Sequence, residues 1–565
     1  MVAAPPDQAD LLLHSGSVWT GNPAGGWAQA VAVGQGRIVA VGSDARLRQW
    51  LGPHTETIDL RGRTLLPGFQ DAHVHVGKGG LDRLRIDLSD LADLEAYRER
   101  IADYARRHPE KPWLVGGGWA MGAFPGGRPT AALLDAVVAD RPVFLNNRDN
   151  HGAWVNSRAL ELAGISEATP DPPDGRIERD SAGRPTGYLH EGAMGLVARL
   201  LPPVEPADLV AALLEGQRYL HSLGITAWQD ALVGAYESIP DTFNAYLAIA
   251  GDGRLTGRVV GALWWPRGVP AQDWDSLLAL LQERRQQTLG TPFRATAVKL
   301  MVDGVCETFT AAVLDPYLDP GGRPTANRGI SFFSREELLA LVPRIDAAGF
   351  QVHLHAIGDR ACRDALDAIA AARAANGWTE TRPHIAHLQL VHPDDRPRFR
   401  RLGVTATFQP LWAAHEPQMD ELTIPFLGPE RASWQYPIGS LHAAGATLAF
   451  GSDWPVSSPN PLWEIHVAVN HVMPEAYPYA GPADRQRVFM PEERIDLPTA
   501  LRAFTAGSAY VNHLDEETGS IEVGKAADLV VLDRDLFEVA PTGIAATQVL
   551  LTLVAGRPVY EAPGL

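Results

Sequence analysis

The stretch Leu66-Pro67-Gly68-Phe69-Gln70-Asp71-Ala72-His73-Val74-His75 places two histidines one residue apart at the end of an apolar run. Successive side chains of a β-strand point to opposite faces, so His73 and His75 share a face, and Asp71 joins them. Two neutral imidazoles converging on one point suit Zn²⁺ or another borderline divalent ion. A His-x-His pair is as often part of a surface strand, so a metal site requires further ligands at other strand ends. Lys299 interrupts the apolar run Ala297–Val302, with Met301 and Asp303 on its face. Gln351-Val352-His353-Leu354-His355 repeats the histidine pattern, and His384-Ile385-Ala386-His387 follows. Leu448-Ala449-Phe450-Gly451-Ser452-Asp453 is an apolar strand ending in a carboxylate. Each alone is explained by a hydrogen-bonded core residue or a turn; together they predict a metal site. A desolvated lysine has a depressed pKa. Its neutral amine can take up CO₂ and become a carbamate, an anionic oxygen ligand.

These residues need strands to hold them. The middle of the chain alternates strand-like and helical runs, which predicts a parallel sheet wrapped by helices. Strands are expected at Phe69–Val76, Ile225–Ala231, Arg258–Trp265, Ala295–Asp303, Phe350–Ala356, His384–Val391, Val404–Pro410 and Thr447–Asp453. Helices are expected at Ala207–Leu223, Asp275–Gln287, Arg335–Gly349, Asp359–Gly377 and Leu497–Gly507. Eight strands close a (β/α)8 TIM-like barrel, whose chemistry sits at the C-terminal strand ends. Residues 81–205 fit this alternation poorly and read as an insertion after the first barrel strand. Within it, Trp113–Trp119 and Pro142–Leu145 read as extra strands, and Asp171–Gly187 as a Pro/Gly-rich loop. Residues 1–66 and 515–565 are both short β runs broken by Gly turns, which suggest antiparallel pairing. They predict one small β-sandwich domain built from both termini, with the barrel at 67–514 between them.

The 565 residues allow two or three domains; 45% are hydrophobic and 21% charged, ordinary for a globular protein. A net charge of −18, with no Lys/Arg run, argues against nucleic acid. Apolar stretches are too short for a membrane span. Met1–Asp7 lacks the basic and apolar segments of a signal peptide. With only Cys306 and Cys362, a disulfide framework is excluded and a reducing cytoplasm is expected. Gly116–Gly118 lacks the Gly-Lys-Ser/Thr ending of a phosphate loop.

The order His-x-His on strand one, Lys on four, His on five, His on six and Asp on eight resembles the amidohydrolase superfamily over nearly the whole chain. His355-Ala356-Ile357-Gly358-Asp359, Asp303-Gly304, Gly451-Ser452-Asp453-Trp454-Pro455 and Ala527–Leu532 resemble its family 3 branch. So do Gly118-Trp119 and Gly183–Gly187. That branch includes YtcJ-like and N-substituted formamide deformylase-like enzymes. The resemblance implies that His73 and His75 bind one metal beside Asp453, that His355 and His387 bind a second, and that a carboxylated Lys299 bridges them. One or two Zn²⁺ per chain are the expected cofactor. His353 is expected behind the ligands. Without the carbamate, the alternative is a mononuclear site of His73, His75, Asp453 and one further histidine.

The activity this implies is hydrolysis of a C–N amide bond in a small, largely neutral substrate, such as an N-substituted formamide or related N-acyl amine. Asp453 would move the proton. Trp119, His151, Phe309, Trp412 and Trp454 are the expected substrate contacts. A lactone or ester hydrolase would use the same site. A deaminase or cyclic-amide hydrolase is disfavoured by Lys299 and by strand five having no Glu. A non-catalytic scaffold is disfavoured because every ligand type is present. The expected partner is a small-molecule substrate; a homodimer is compatible with the sequence.

Overall fold

The computed structural model describes residues 8–22, 24–236 and 240–563, so Met1–Asp7 lie outside the described residues. Phe69–Val74 is a run of six buried residues, with apolar Phe69, Ala72 and Val74 among them. A strand buried throughout suits a parallel sheet covered on both faces, and this one (β1) begins the barrel. Ile225–Val233 (β2), Arg258–Trp264 (β3), Phe293–Met301 (β4), Gln351–Ala356 (β5), His384–His387 (β6), Thr405–Phe408 (β7) and Thr447–Phe450 (β8) follow. The eight strands are neighbours in sequence order and every pair is parallel. Each expected barrel strand is present, with ends displaced by a few residues.

The first and last strands meet through the residues just beyond β8. Asp453 N donates to His73 O (2.7 Å), and His75 N donates to Trp454 O (2.8 Å). The Asp71 carboxylate accepts from Ser452 Oγ (2.6 Å), Ser452 N and His73 N. Gly451 permits the approach: a Cβ there would lie 2.4 Å from His73 N. Asp71 is therefore a seam residue, although its strand parity places it beside the histidines.

The expected helices form, with caps that explain their starts. Ser334 and Glu337 make a capping box at Arg335–Ala347. Pro206 opens Pro206–Ser222 at its first turn. Leu497–Gly507 departs from regular α geometry: Leu497–Arg502 is α-helical, and Ala503–Gly507 is a π turn. A Cβ on Gly507 would lie 2.2 Å from Leu448 O, so that turn lies directly against β8. Ser508 Oγ then donates to Phe450 O (2.8 Å), bracing the strand that leads to Asp453.

Strands from both ends of the chain pair beside the barrel. One sheet runs Arg557–Glu561, Val549–Val554, Leu529–Leu532, Thr64–Pro67, Ser17–Trp19, Trp27–Ala28; the other runs Arg37–Gly42, Ala30–Gly34, Leu11–His14, Glu56–Asp59. Leu11, Leu13, Val31, Leu65, Leu529 and Leu551 share the core between them. The pairing is mixed, which corrects the antiparallel expectation: Leu11–His14 is parallel to Glu56–Asp59, and Ser17–Trp19 to Thr64–Pro67. Thr64–Pro67 runs through Gly68 straight into β1, so this sheet sets the entry of the strand bearing His73.

Between β1 and β2 the insertion forms its own six-stranded sheet, including Leu114–Trp119, Val143–Asn147 and Gly152–Val155. The expected loop Asp171–Gly187 is instead mostly a hairpin, Gly175–Arg179 with Pro185–Glu191. Its turn is organised by Asp180, which accepts from Ala182 N and Arg184 N (both 2.9 Å). Among the described residues, no helix is long and apolar enough to cross a membrane.

Candidate metal centre

Side chains on inward-facing positions of β1, β4, β5 and β6 meet Asp453 at the C-terminal mouth of the barrel. Asp453 Oδ1 lies 2.9 Å from His75 Nε2 and 3.2 Å from His73 Nε2, and Asp453 Oδ2 lies 3.8 Å from His387 Nδ1. Lys299 Nζ is 3.4 Å from His73 Nε2 and 3.5 Å from His353 Nε2. The rings of His355 and His387 are 4.5 Å apart. His73, Lys299, His355, His387 and Asp453 are all buried, and His75 is nearly so.

Burial holds the imidazoles neutral. It lowers His73, His355 and His387 well below the ordinary histidine value, and neighbouring Lys299 and histidines lower His73 and His355 further. Burial also brings the Lys299 amine down to about 7. Burial alone would raise Asp453, but His75, His387 and Lys299 outweigh it and the carboxyl ends below its usual range. The centre therefore combines neutral nitrogen donors with an ionised carboxylate.

The hydrogen-bond network assigns the tautomers. Gln351 Nε2 donates to Val511 O (2.6 Å) and Arg382 O (2.8 Å), so Gln351 Oε1 faces Gln229 and accepts from its Nε2 (2.9 Å). Gln229 Oε1 is thereby turned toward the histidines. It accepts from His353 Nδ1 (2.6 Å) and His384 Nε2 (3.0 Å). A neutral His353 then accepts at Nε2, which requires His73 to donate from Nδ1 (2.8 Å). His73 Nε2 is left as a lone pair facing the Asp453 carboxylate, with Lys299 Nζ 3.4 Å away. Similarly, His387 donates Nδ1–H to Gln409 Oε1 (2.8 Å), freeing Nε2. His355 donates Nε2–H to Gly304 O (3.3 Å), freeing Nδ1.

This arrangement fits a divalent cation. The His73 Nε2 lone pair and the Asp453 carboxylate face each other at 3.2 Å, and a cation between them would remove their repulsion. Asp453 Oδ1 is buried with no donor aligned on it among the described residues, and His75 Nδ1 is also without a hydrogen bond. His73, His387 and Asp453 each offer an atom within 4.8 Å of the others'. His353 stands behind His73, as expected, and orients it. Outer partners of this kind change metal affinity by about 10- to 100-fold. Gln229→Leu removes the acceptor that orders both His353 and His73, so affinity for a divalent metal is expected to fall by about that factor. Competition against a chromophoric chelator measures it; an unchanged affinity would refute the relay.

A cavity of about 60 Å³ opens on these atoms. His151, Trp412, Tyr236, Met301 and Lys78 contribute to its wall. Trp412 stacks on His387, with centroids 5.3 Å apart and planes 11° from parallel, and donates Nε1–H to Ser457 Oγ. His151 donates Nδ1–H to Glu191 Oε1 (2.8 Å). Burial disfavours its charge, yet Glu191 raises it to about 9.

Three expected substrate contacts lie elsewhere. Trp119 is fully buried in the insertion, packed on Phe124, Trp154 and Tyr188, with Nε1 donating to Leu145 O (2.9 Å). Phe309 lines a separate 540 Å³ cavity with Tyr188 and Phe426. Trp454 faces Tyr219 and a third cavity of about 240 Å³, because its backbone is tied to His75. In each case apolar packing claims the ring.

Asp303 is a brace: its carboxylate accepts from Ile357 N, Gly358 N and Ala312 N (2.8 to 3.0 Å). Gln229, Gln409 and Glu191 are functional neighbours that the sequence reading missed. The first has a signal, a polar residue at an inward position of an apolar barrel strand; Gln409 directly follows β7.

The geometry is matched by comparison with known proteins. The amidohydrolase family pattern matches residues 56–560. Protein LONG AFTER FAR-RED 3 of Arabidopsis thaliana is 32% identical over 560 residues, covering 98% of this chain and 92% of that protein. N-substituted formamide deformylase of Arthrobacter pascens is 28% identical, covering 98% and 99%. The crystal structure of an uncharacterized metal-dependent hydrolase from Pyrococcus furiosus superposes with a TM-score of 0.68 at 27% identity, covering 93% of this chain and 99% of that one. With the strand order, the convergent donors and this full-length similarity in agreement, the chain belongs to the amidohydrolase family, as a hydrolase acting on carbon–nitrogen bonds.

Proposed function

We propose that the protein hydrolyses the amide of a small N-substituted formamide, using zinc that His73, His75, His355, His387 and Asp453 would hold, with a carboxylated Lys299 as a further oxygen ligand. The observation that carries the reading is the buried Asp453 carboxylate, whose Oδ1 lies 2.9 Å from His75 Nε2 and 3.2 Å from His73 Nε2. The metal supplies Lewis acidity, which acidifies water and polarises a carbonyl. Asp453 takes the proton from the attacking water at one oxygen. It then delivers that proton to the amide nitrogen, because an amine leaves readily only when protonated. Trp412 and Val456 add apolar surface to the wall of the cavity.

The size of the cavity favours a small acyl group. At about 60 Å³ the cavity beside the donors is small for a ligand site, and a formyl group is the shortest acyl group that could occupy it. The formamide deformylase relative carries the same suggestion in its name.

Zinc-loaded protein is expected to release benzylamine from N-benzylformamide, to release little from N-benzylacetamide, and to lose activity with chelator. Equal rates on both amides would overturn the formyl preference. No amine from either would remove this substrate class.

A further inference from the structure

The insertion delivers one polar group into the metal cavity that the ligand set does not use. His151 follows Val143–Asn147 and precedes Gly152–Val155, and it lines the same cavity as His73, Lys299 and Asp453. Its ring lies 6.0 Å from that of His355. Nδ1 is engaged by Glu191, and no partner occupies Nε2 among the described residues. One edge of the imidazole is thus anchored, and the other is free to donate.

The anchor is built with unusual care. Glu191 ends the hairpin strand Pro185–Glu191 at φ 50°, ψ −132°, a region that residues with a Cβ rarely adopt. Its N–H donates to His151 O (3.1 Å), so backbone and side chain both tie the two residues together. Glu191 Oε1 also accepts from Thr310 Oγ1 (3.2 Å), and Arg267 Nη2 lies 4.0 Å from Oε2. Gly304 makes the approach possible: a Cβ there would sit 2.1 Å from Thr310 Oγ1 and 2.9 Å from Glu191 Oε1. Gly304 is also the residue whose carbonyl orients His355. One turn after β4 therefore positions a metal-side histidine and the His151 anchor together.

We propose that His151 Nε2–H is the substrate-contacting donor that binds the acyl oxygen in this cavity, and that Glu191 is the positioning residue that aims it. The inference rests on the hydrolase reading above. As water adds to the carbonyl, negative charge grows on that oxygen. A donor already fixed at a buried site stabilises the charge without reorganising. Loss of one such donor costs about 10²- to 10³-fold in kcat.

Acetohydroxamate, a small oxygen-donor ligand for zinc, provides a probe that needs no turnover. Its affinity for the zinc-loaded protein is measured by calorimetry in wild type, His151→Phe and Glu191→Gln, with zinc content determined for each. Affinity is expected to fall about tenfold in His151→Phe and by less in Glu191→Gln, at unchanged zinc content; one charge-assisted hydrogen bond is worth about that much. With ¹⁵N-histidine, the Nδ1 resonance that disappears in His151→Phe is expected to shift in Glu191→Gln, a signature that a merely structural role of Glu191 would not move. Wild-type affinity in both variants would overturn the proposal while leaving the hydrolase reading intact. Wild-type protein that binds zinc and hydroxamate but cleaves no amide would remove the substrate reading and leave His151 decided by the affinities. Protein that holds no zinc would overturn both.

Discussion

Asp453→Asn is expected to keep its zinc and lose about 10²- to 10⁴-fold in turnover, the range a positioned acid–base group contributes. The substitution isolates the proton-transfer role for a backbone reason as well as a chemical one. Asp453 sits at φ 55°, in the left-handed region. Asn is among the few residues with a Cβ that adopt it readily, whereas Ala would add strain. The backbone bond from residue 453 N to His73 O, which joins the last strand to the first, is thus retained. An amide oxygen still faces His73 and His75, but it carries no charge and takes up no proton near neutral pH. Zinc content by atomic emission and kcat on the best amide are the measurements. Turnover within about tenfold of wild type would remove Asp453 from the proton path, since even a modest acid–base contribution exceeds that.

The barrel and its ligand-bearing strands were legible because two physical patterns coincide in them. Each barrel strand is a short, nearly continuous apolar run ending in a turn or a polar residue, as burial on both faces requires. Strand parity brought His73, Lys299 and His355 to one mouth with His75 just past the strand end, whereas His387 and Asp453 reach it through turned backbone at φ 81° and φ 55°. What failed was legible only in three dimensions. Gly175–Arg179 carries Arg176, Glu178 and Arg179 and lies among prolines and glycines, so its composition resembles a loop. Its strand character comes from pairing with Pro185–Glu191. Trp119, Phe309 and Trp454 were placed by their nearness to strand ends, and nearness does not say which cavity or core a ring will fill. Glu191 carries no local signal, because its partner His151 is forty residues earlier and the pairing is set by the insertion sheet.

Lys299 yields the second large effect. Its side chain is almost wholly buried, and its Nζ has imidazoles at 3.4 and 3.5 Å as its hydrogen-bonding neighbours. Those imidazoles are held neutral, and the Asp453 carboxylate only partly offsets the cost of burying an ammonium there. Burial accordingly brings the amine to about 7, and near neutral pH a substantial fraction is the free base. A free amine adds to CO₂: the N–C bond forms, one proton leaves, and the product is a carbamate anion. The predicted consequence is stoichiometric. Metal-free protein reconstituted with zinc and bicarbonate should approach two zinc per chain; reconstituted without CO₂ it should approach one. Lys299→Met cannot form the carbamate, should hold no more than one zinc in either buffer, and should lose about 10²-fold or more in turnover if both ions are used. Two zinc per chain and normal turnover in Lys299→Met would exclude the carbamate. One zinc in wild type regardless of bicarbonate, with activity intact, would select the mononuclear arrangement of His73, His75, Asp453 and one further histidine. The buried amine would then act as a hydrogen-bonding neighbour of His73, and its low pKa would keep a second positive charge away from the ion.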